Sequence, residues 1–265
     1  MRGAVLCIGS LLIVVLNAPP LAAQDPQGPE AFPGEAFHME FVTAWWQPKP
    51  GLAIQTGQLV GAGITDFDFA EEFNLERKRF TDFRLVFKPT TGHKVRFSYL
   101  PMRYDQGATL VRPIQFNGHT YSGGAALDIK WSLWQFGYEW DFIRRERGFL
   151  GLLGEVKYND IRATVRSVGR SDWAASKAAV PTVGIIGRQY LHRNVAISGE
   201  LSGLKVPDKT FDVSFWDFDI SATASVSRHF GLEGGYRAVT ADYAIHKDSG
   251  HLSMRGIYAA LVSRF

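Results

Sequence analysis

His251 and Ser253 are the residues of this sequence best placed for nucleophilic chemistry. They stand two positions apart, so an extended strand would point both side chains to the same face. An imidazole beside a hydroxyl can remove its proton and make it a nucleophile, provided that a third polar group orients the imidazole. Met254 follows Ser253 and no Glu lies downstream of it, so the sequence shows no third group there.

Asp66 and Asp68 form a second candidate, a pair of carboxylates two positions apart. A histidine oriented by an acid would have to activate the attacking water beside them. No Asp-x-His sequence occurs, and His246-Lys247-Asp248 has the reverse order. Calcium loops, zinc-ligand clusters and phosphate-binding glycine loops are also missing from the sequence. We therefore predict no catalytic residue, no cofactor and no metal, and we expect that the protein is not an enzyme.

Charged residues recur on one face of a series of alternating segments. Charges removed from water must be paired to be tolerated. If the segments enclose a narrow interior, these side chains meet across it, and we predict an ion-pair network that fills the lumen. The alternative is a narrow polar channel whose selectivity the charges set. The predicted network comprises Glu40, Asp82, Arg84, Arg96, Glu139, Asp141, Glu155, Lys157, Arg188, Glu200, Asp217, Asp219, Glu233, Arg237 and Arg264.

The elements that position these residues are strands with a period of two. In the segment 213–226, Trp216 and Phe218 fall on one side while Asp217 and Asp219 fall on the other. An ordinary strand has about 5–6 residues, whereas a longer strand with one polar face fits a tilted crossing of lipid. Ten such segments lie near 37–41, 82–87, 95–99, 135–142, 150–158, 182–191, 195–201, 213–226, 232–237 and 251–265. The pattern predicts an all-β, antiparallel, up-and-down transmembrane β-barrel of ten strands, with eight to twelve possible.

Connections alternate in length, as they do in such barrels. Short turns are predicted near 89–93, 144–148, 192–194 and 228–229, and longer external loops near 48–79, 106–124, 166–178, 205–211 and 246–250. Basic residues beside the turns, including Lys88 and Lys94, are expected either to contact lipid phosphates or to be ordinary solvated residues. The alternation changes phase once: in 127–133 the apolar residues stand at odd positions, whereas from Trp134 onward they stand at even positions. A bulge near Ser132 or a strand leaving the membrane there would explain the change.

The end of the chain resembles the carboxy-terminal signature of bacterial outer-membrane barrels. The final strand HLSMRGIYAALVSRF closes on Phe265, and the resemblance implies that the barrel assembly machinery recognises this residue. The segments 80–85, 94–99, 137–143 and 234–237 extend the resemblance to a loose group of small OmpA-like or porin-like barrels without assigned function. These motifs describe strands and turns, so they imply a fold and no activity.

Two enzyme families share parts of the pattern. The ten strands and the Asp66/Asp68 spacing resemble the omptin proteases. The His251-Leu252-Ser253 sequence resembles the His-x-Ser of the lipid A deacylase barrel and the outer-membrane phospholipase. These resemblances imply a protease or a lipid hydrolase as a third possible function, after a structural barrel and a channel.

The amino end is typical of a secretory signal peptide. Arg2 is its one charge, the run 4–16 is apolar, and Leu21-Ala22-Ala23 is a small-residue cleavage site. We predict a signal peptide at 1–23, a periplasmic segment at 24–34 and the barrel at 35–265. Removal of Arg2 takes the formal charge from +3 to +2, which favours no nucleic-acid partner.

These observations predict a protein of the outer membrane of a Gram-negative bacterium. Its expected partners are outer-membrane lipids, lipopolysaccharide and the assembly machinery, and its external partner is unknown. The expected function is a structural or interaction barrel with a largely charge-plugged lumen. The first alternative is a porin-like diffusion channel for small polar solutes.

Overall fold

The computed structural model describes residues 35–55, 67–68, 70, 73, 75–116, 119–207, 211–245 and 248–265. The predicted signal peptide and periplasmic segment lie outside these residues. The described strands are β1 (Met39–Gln55), β2 (Phe67–Asp68), β3 (Phe80–Thr90), β4 (His93–Phe116), β5 (His119–Arg145), β6 (Gly148–Ser167), β7 (Arg170–His192), β8 (Val195–Pro207), β9 (Phe211–Ser225), β10 (Phe230–Ile245) and β11 (Asp248–Arg264).

Ten of these strands pair antiparallel in sequence order and close on themselves. β11 pairs with β10 on one side and with β1 on the other, from Glu40 opposite Arg264 to Gln55 opposite Ser249. The two-residue β2 adds to the outer end of β1 through Ala53 and Ile54. The structure therefore confirms the predicted ten-strand barrel, whose wall closes without a free edge at the level where all ten strands pair.

The two faces of the strands follow the predicted alternation. On β9, Trp216, Phe218 and Ile220 are 45%, 41% and 45% exposed on the outer wall, whereas Asp217 between them is 4% exposed in the lumen. Since successive side chains of a strand point to opposite faces, this contrast fixes the register of the strand in the wall.

The inner end of the barrel has short turns, at 91–92, 146–147, 193–194 and 226–229, close to their predicted positions. At the outer end several predicted loops are wrong, because the strands continue through them. β4 and β5 pair from His93 opposite Trp140 to Phe116 opposite His119, and β6 and β7 pair up to Ser167 opposite Arg170. Most of 106–124 and 166–178 is therefore hairpin.

The conflict of phase at 127–133 does not reflect a bulge near Ser132. The β5 ladder is continuous on both sides of this residue. Leu133 and Trp131 point into the lumen with the same parity as Gln135 and Glu139. The lumen face of β5 thus changes from polar to apolar, while the outer wall changes from apolar to polar, as expected where a strand leaves the membrane.

Candidate functional site

The lumen is the candidate site, and its centre is the Arg237 guanidinium. Arg237 donates to Asp217 through Nε at 3.1 Å and Nη2 at 2.8 Å, and to Asp82 through Nη1 at 2.9 Å. Lys157 Nζ lies 2.6 Å from Asp217 Oδ2 and 3.2 Å from Glu155 Oε2. Side chains of Arg237, Asp217, Asp82 and Lys157 are 5% exposed or less. Such bidentate, charge-assisted bonds are the strong ones in a protein interior.

A second cluster surrounds Arg84. Its Nε donates to Asp82 at 2.8 Å, and its Nη2 donates to Asp219 at 3.4 Å. The Tyr258 hydroxyl lies 2.8 Å from Asp219 Oδ1 and 3.1 Å from Glu233 Oε1. Asp82 joins this cluster to Arg237, so the ion pairs cross the lumen from β3 to β10.

A third cluster lies on the opposite wall. Arg96 donates to Glu139 at 2.7 Å and to Glu200 at 2.6 Å. Lys94 Nζ lies 2.6 Å from Glu139 Oε1 and 3.0 Å from Asp141 Oδ2. Glu200 belongs to β8 and Arg96 to β4, so this cluster also crosses the barrel.

Glu35 closes the inner end of the lumen. Its carboxylate lies 3.0 Å from Lys88 Nζ and 3.2 Å from Arg188 Nη1, and the Tyr190 hydroxyl donates to it at 3.2 Å. Burial alone would raise the pKa of Glu35, but the positive charges of Lys88, Arg188 and Lys94 lower it to about 2. The carboxylate therefore stays ionised and holds the chain entering β1 against the lumen wall.

The seam between β1 and β11 carries polar links of its own. Arg264 Nε donates to Glu40 at 2.6 Å, and its Nη1 donates to Ser225 at 3.2 Å. The indole of Trp46 donates to the backbone oxygen of Gly256 at 3.1 Å. These bonds join the first and last strands of the barrel from inside.

Each of the fifteen charged residues that the sequence assigned to the lumen takes part in at least one ion pair there. Sequence reasoning missed Glu35, Lys88 and Lys94. The two lysines share the parity of Arg84 and Arg96, so the alternation already contained the signal, but their nearness to turns concealed it. Both are buried in the lumen, which makes the expected contact with lipid phosphates or solvent wrong for them.

The charged clusters leave one small space between them. A cavity of about 100 Å³ is lined by Arg84, Arg96, Glu200 and Asp219, among others. A water needs roughly 10–15 Å³ on this measure, so the cavity has room for several waters.

Large apolar side chains fill the lumen beyond the charges, towards the outer end. We call this set the apolar layer; its buried members are Trp46, Phe80, Leu100, Met102, Tyr104, Trp131, Leu133, Phe215, Val239 and Met254, whereas Val42, Ala44, Tyr258, Ala260 and Val262 of the same cluster lie beside the charged residues. Arg237 lies 5.7 Å from the Trp46 ring centroid and Lys157 lies 5.4 Å from that of Phe215. Aromatic faces attract cations at this distance, so the two layers join without a gap.

A further apolar cluster covers the outer mouth. It contains Phe73, Leu110, Ile114, Tyr121, Ala125, Leu127 and Val165, and Phe73 at its centre is 0% exposed. Phe73 stands between β2 and β3 in the sequence and packs in this cluster. No sequence signal placed this residue there, because an apolar residue in a loop has no periodicity to assign it to a face.

The other chemistry-bearing residues lie outside the lumen. His251 and Ser253 are on the outer wall of β11, and Asp242 Oδ1 lies 2.5 Å from His251 Nδ1. Asp66 falls outside the described residues, and of Asp68 only the backbone is described. The described part of the chain holds no group of three His, Cys, Asp or Glu residues that could bind a metal ion. It also holds no helix that is long and apolar enough to cross a membrane.

Phe265 lies at the inner end, tied to the start of β1. Its backbone oxygen accepts from the amides of His38 at 2.7 Å and Met39 at 2.9 Å, and its amide donates to Met39 at 2.8 Å. The ring is 68% exposed. Its recognition by an assembly machinery stays a prediction.

This closed antiparallel wall with an apolar outer face is the fold of transmembrane β-barrels. The chain superimposes on the outer membrane protease OmpT from Escherichia coli with a TM-score of 0.58 and 10% identity, over 86% of this chain and 96% of that one. The attachment invasion locus protein Ail of Yersinia pestis gives a TM-score of 0.41 at 10% identity, covering 84% and 97% of the two chains. The toluene transporter TodX of Pseudomonas putida gives 0.32 at 7% identity, covering 86% and 90%.

The likeness to OmpT shows the fold of an outer-membrane β-barrel. No protein-family profile and no curated protein matches the sequence.

Proposed function

We propose that the protein is a closed structural or interaction barrel of the bacterial outer membrane that does not conduct solutes. The observation that carries the proposal is the filled lumen, in which a charged layer and an apolar layer follow each other along the axis. A porin-like pore needs a continuous wet interior. Here a hydrated ion would have to displace buried aromatic rings and break buried ion pairs.

The outer wall of the barrel supports a location in the outer membrane and lipids as partners. Export by a cleaved signal peptide would bring the chain to the assembly machinery, with Phe265 as the recognised residue. The apolar belt of the outer wall, including Phe136 at 58% and Leu232 at 54% exposure, would then lie against lipid. Lipopolysaccharide and phospholipids are the partners that this wall fits.

The long hairpins at the outer end support a role in interaction. Val168 and Trp173 on the β6–β7 hairpin are 101% and 58% exposed, and Arg162 lies 5.0 Å from the Trp173 ring centroid. An exposed tryptophan with an adjacent cation is a common anchor of binding surfaces.

Conductance in planar lipid bilayers tests the proposal. We expect the folded wild type to give no single-channel steps. The variant Trp46→Ala/Trp131→Ala/Phe215→Ala, which empties the apolar layer, should give steps if that layer is the block. Trp140→Ala, which removes an exposed ring from the outer wall, is the matched control and should stay silent. Steady steps from the wild type would instead support the alternative, a narrow diffusion channel for small polar solutes.

A further inference from the structure

The outer half of β7 is an edge strand. β7 pairs with β6 from Gln189 opposite Gly148 to Arg170 opposite Ser167, whereas its ladder with β8 stops at Val183 opposite Gly203. Beyond that level the remaining residues of β8 pair with β9 alone. No described strand pairs with the second edge of the segment 174–182, which we call the β7 edge. The wall is therefore split between β7 and β8 at its outer end.

The β7 edge lies beyond the apolar belt of the outer wall. Ala179 stands opposite Tyr158 of β6, and Tyr158 stands opposite Trp134 of β5, which in turn stands opposite Tyr99 of β4. Such a row of aromatic rings is typical of the interface between the hydrocarbon and water. Residues of β7 that precede Ala179 therefore project from the membrane into the medium.

Alternate residues of the β7 edge turn their backbone N–H and C=O groups away from β6. The turn between β6 and β7 has two residues, so its flanking pair, Ser167 and Arg170, is hydrogen-bonded. Hydrogen-bonded and non-hydrogen-bonded pairs alternate along an antiparallel ladder, which leaves the odd-numbered residues of β7 facing outward. Pro181 fits this assignment, because a proline is tolerated where its missing N–H would face the open side of an edge strand. The backbone groups of Ala175, Lys177 and Ala179 therefore point to where a further strand would lie.

The β7 edge carries little of the protection that edge strands usually have. Natural sheets shield their edges with charges, prolines, bulges or a covering segment. The residues from Ala174 to Ala179 are all exposed, on both faces of the sheet. The one charged side chain of the edge, Lys177, is paired within the sheet, with its Nζ 3.1 Å from Asp160 Oδ2. Its one proline, Pro181, stands at the end nearest the membrane, so the small residues beyond it present a flat surface.

Side-chain contacts hold this part of β7 in position. The Arg162 guanidinium of β6 lies 5.0 Å from the Trp173 ring centroid. Asp172 accepts a hydrogen bond from the Tyr121 hydroxyl and lies 2.8 Å from His119 Nδ1, both on β5. Two neighbouring strands thus fix the segment just before the β7 edge. A strand that is ordered before a partner arrives loses little conformational entropy when the partner pairs with it.

An extended polypeptide is the occupant that this geometry fits. Outward-facing backbone groups of a strand recur about every 7 Å, and a second extended backbone repeats complementary donors and acceptors at the same spacing. The small side chains of Ala174 and Ala178 leave room for larger side chains opposite them. On the same face, Ala163 and Ile161 of β6 stand opposite Ala174 and Ser176. Apolar side chains of the partner would extend this face of the sheet.

The other face of the sheet adds a preference of charge. Arg162 stands opposite Ala175, and Asp160 stands opposite Lys177, with Arg166 further out on the same face of β6. Three cations and one carboxylate thus share this face in the outer halves of β6 and β7, which gives it a net charge of +2. Such a surface favours acidic side chains on the facing side of the partner.

We propose that the β7 edge binds an extended acidic polypeptide segment outside the membrane by adding it to the sheet as a further strand. Docking of this kind rests on the interaction role proposed above and gives it a site and a class of partner. It does not depend on the closed lumen, so silence in the bilayer and binding at the edge can fail separately. A second copy of the chain fits less well, because two barrels in one membrane would align their β7 edges in parallel, the less stable pairing.

Peptide titration and amide hydrogen exchange test the proposal on the full folded barrel in lipid nanodiscs. The probe is a ten-residue peptide of alternating Glu and Val. A Lys-Val peptide of the same length tests the charge, and a Glu-Val peptide with proline at its fourth and seventh positions, which interrupts both of its edges, tests the backbone pairing. We expect the Glu-Val peptide to bind with a Kd below about 1 mM and each control peptide to bind at least about tenfold more weakly. Binding should slow amide exchange in 174–182 and leave the β8–β9 hairpin unchanged.

Variants of two exposed residues locate the binding on the β7 edge. Ala175→Pro removes an outward-facing donor without touching the ladder to β6, and it should weaken binding of the Glu-Val peptide about tenfold. Ala175→Val, which keeps the donor, is the matched control and should bind as the wild type does. Lys177→Glu should weaken binding of the Glu-Val peptide about tenfold and strengthen that of the Lys-Val peptide. Heat-modifiable gel mobility verifies that every variant is folded.

Several results would overturn the proposal. One is a folded wild type that does not bind the Glu-Val peptide, and another is binding that leaves amide exchange in 174–182 unchanged. Equal affinity of Ala175→Pro and Ala175→Val would show that the backbone of the edge takes no part. A barrel that forms a dimer in nanodiscs, and loses it in Ala175→Pro, would instead assign the edge to a second copy of the chain.

Discussion

Replacing Arg237 with methionine tests whether the charged layer holds the barrel together. Methionine keeps much of the side-chain length and removes the charge and all the donors. The variant loses two hydrogen bonds to Asp217 and one to Asp82, all of them in a site where Arg237 is 5% exposed. Removal of one partner of a buried ion pair costs about 3–5 kcal/mol, because the other charge is left uncompensated.

The structure places the expected loss at the lower end of that range. Asp217 keeps Lys157 at 2.6 Å, and Asp82 keeps Arg84 at 2.8 Å, so neither carboxylate is left without a cation. We therefore expect the free energy of unfolding to fall by about 3 kcal/mol, or roughly a hundredfold in the equilibrium constant. Adding Asp217→Asn should cost less than the sum of the single variants, by about 1–2 kcal/mol, since the two residues share one interaction.

The assay is denaturant unfolding of the barrel from lipid vesicles, followed by tryptophan fluorescence. Arg193→Met, in an exposed turn at the inner end, is the matched control and should change the free energy by no more than about 0.5 kcal/mol. If Arg237→Met unfolds at the denaturant concentration of Arg193→Met, the charged layer does not stabilise the barrel, and the reasoning from its distances fails.

Two further substitutions test the contacts of Glu35 at the inner end and the close packing of the seam between β1 and β11. Glu35→Gln should destabilise the barrel at pH 7 by at most about 3 kcal/mol. Because the folded pKa of Glu35 is lowered from 4.5 to about 2, that difference should be full above pH 4.5 and vanish as the pH falls towards 2; an equal difference at both ends of a pH titration of unfolding would contradict it. Gly256→Ala should impair closure of the seam, because a Cβ there would meet the backbone oxygen of Gln47 at 2.2 Å. Heat-modifiable mobility should show less folded barrel for it than for Gly199→Ala, where a Cβ meets nothing within 4 Å.

The wall of the barrel could be predicted from the sequence, because successive side chains of a strand alternate between the outer face and the lumen. On β9 the alternation of Trp216, Asp217 and Phe218 can be satisfied in one way only, with the rings outside and the carboxylate inside. The same alternation predicted which charged residues face the lumen. It also assigns Lys88 and Lys94 to the lumen, although both lie next to a turn.

The apolar layer could not be derived in this way. Parity separates two faces without saying which face meets lipid, and outside 127–133 the expectation assigned the apolar face to lipid. On β5 this holds for Trp140 and Phe136, whereas Trp131 and Leu133 fill the lumen. The long β4–β5 hairpin was missed for a related reason, because its buried apolar residues, such as Leu110 and Leu127, lie in the lumen beyond the belt.

The contact of Asp242 with His251 was hidden by distance along the chain. The residues that follow Ser253 include no carboxylate, whereas β10, which precedes the histidine in the chain, carries one at Asp242. Register between strands, rather than spacing within one, brings the two residues together. Sequence spacing cannot give that register until the length of the turn between the strands is known.

The two layers of the lumen also explain where reactive groups can remain. The apolar layer covers the charged layer towards the outer end, and in an interior of low dielectric each ion pair is stronger and each unpaired group costs more. Charged groups there are consequently bound mainly to one another. On the outer wall, His251 and Asp242 keep about half of their surface exposed. A barrel that is filled in this way is held together by its interior, and silence in the bilayer is the behaviour that we expect of it.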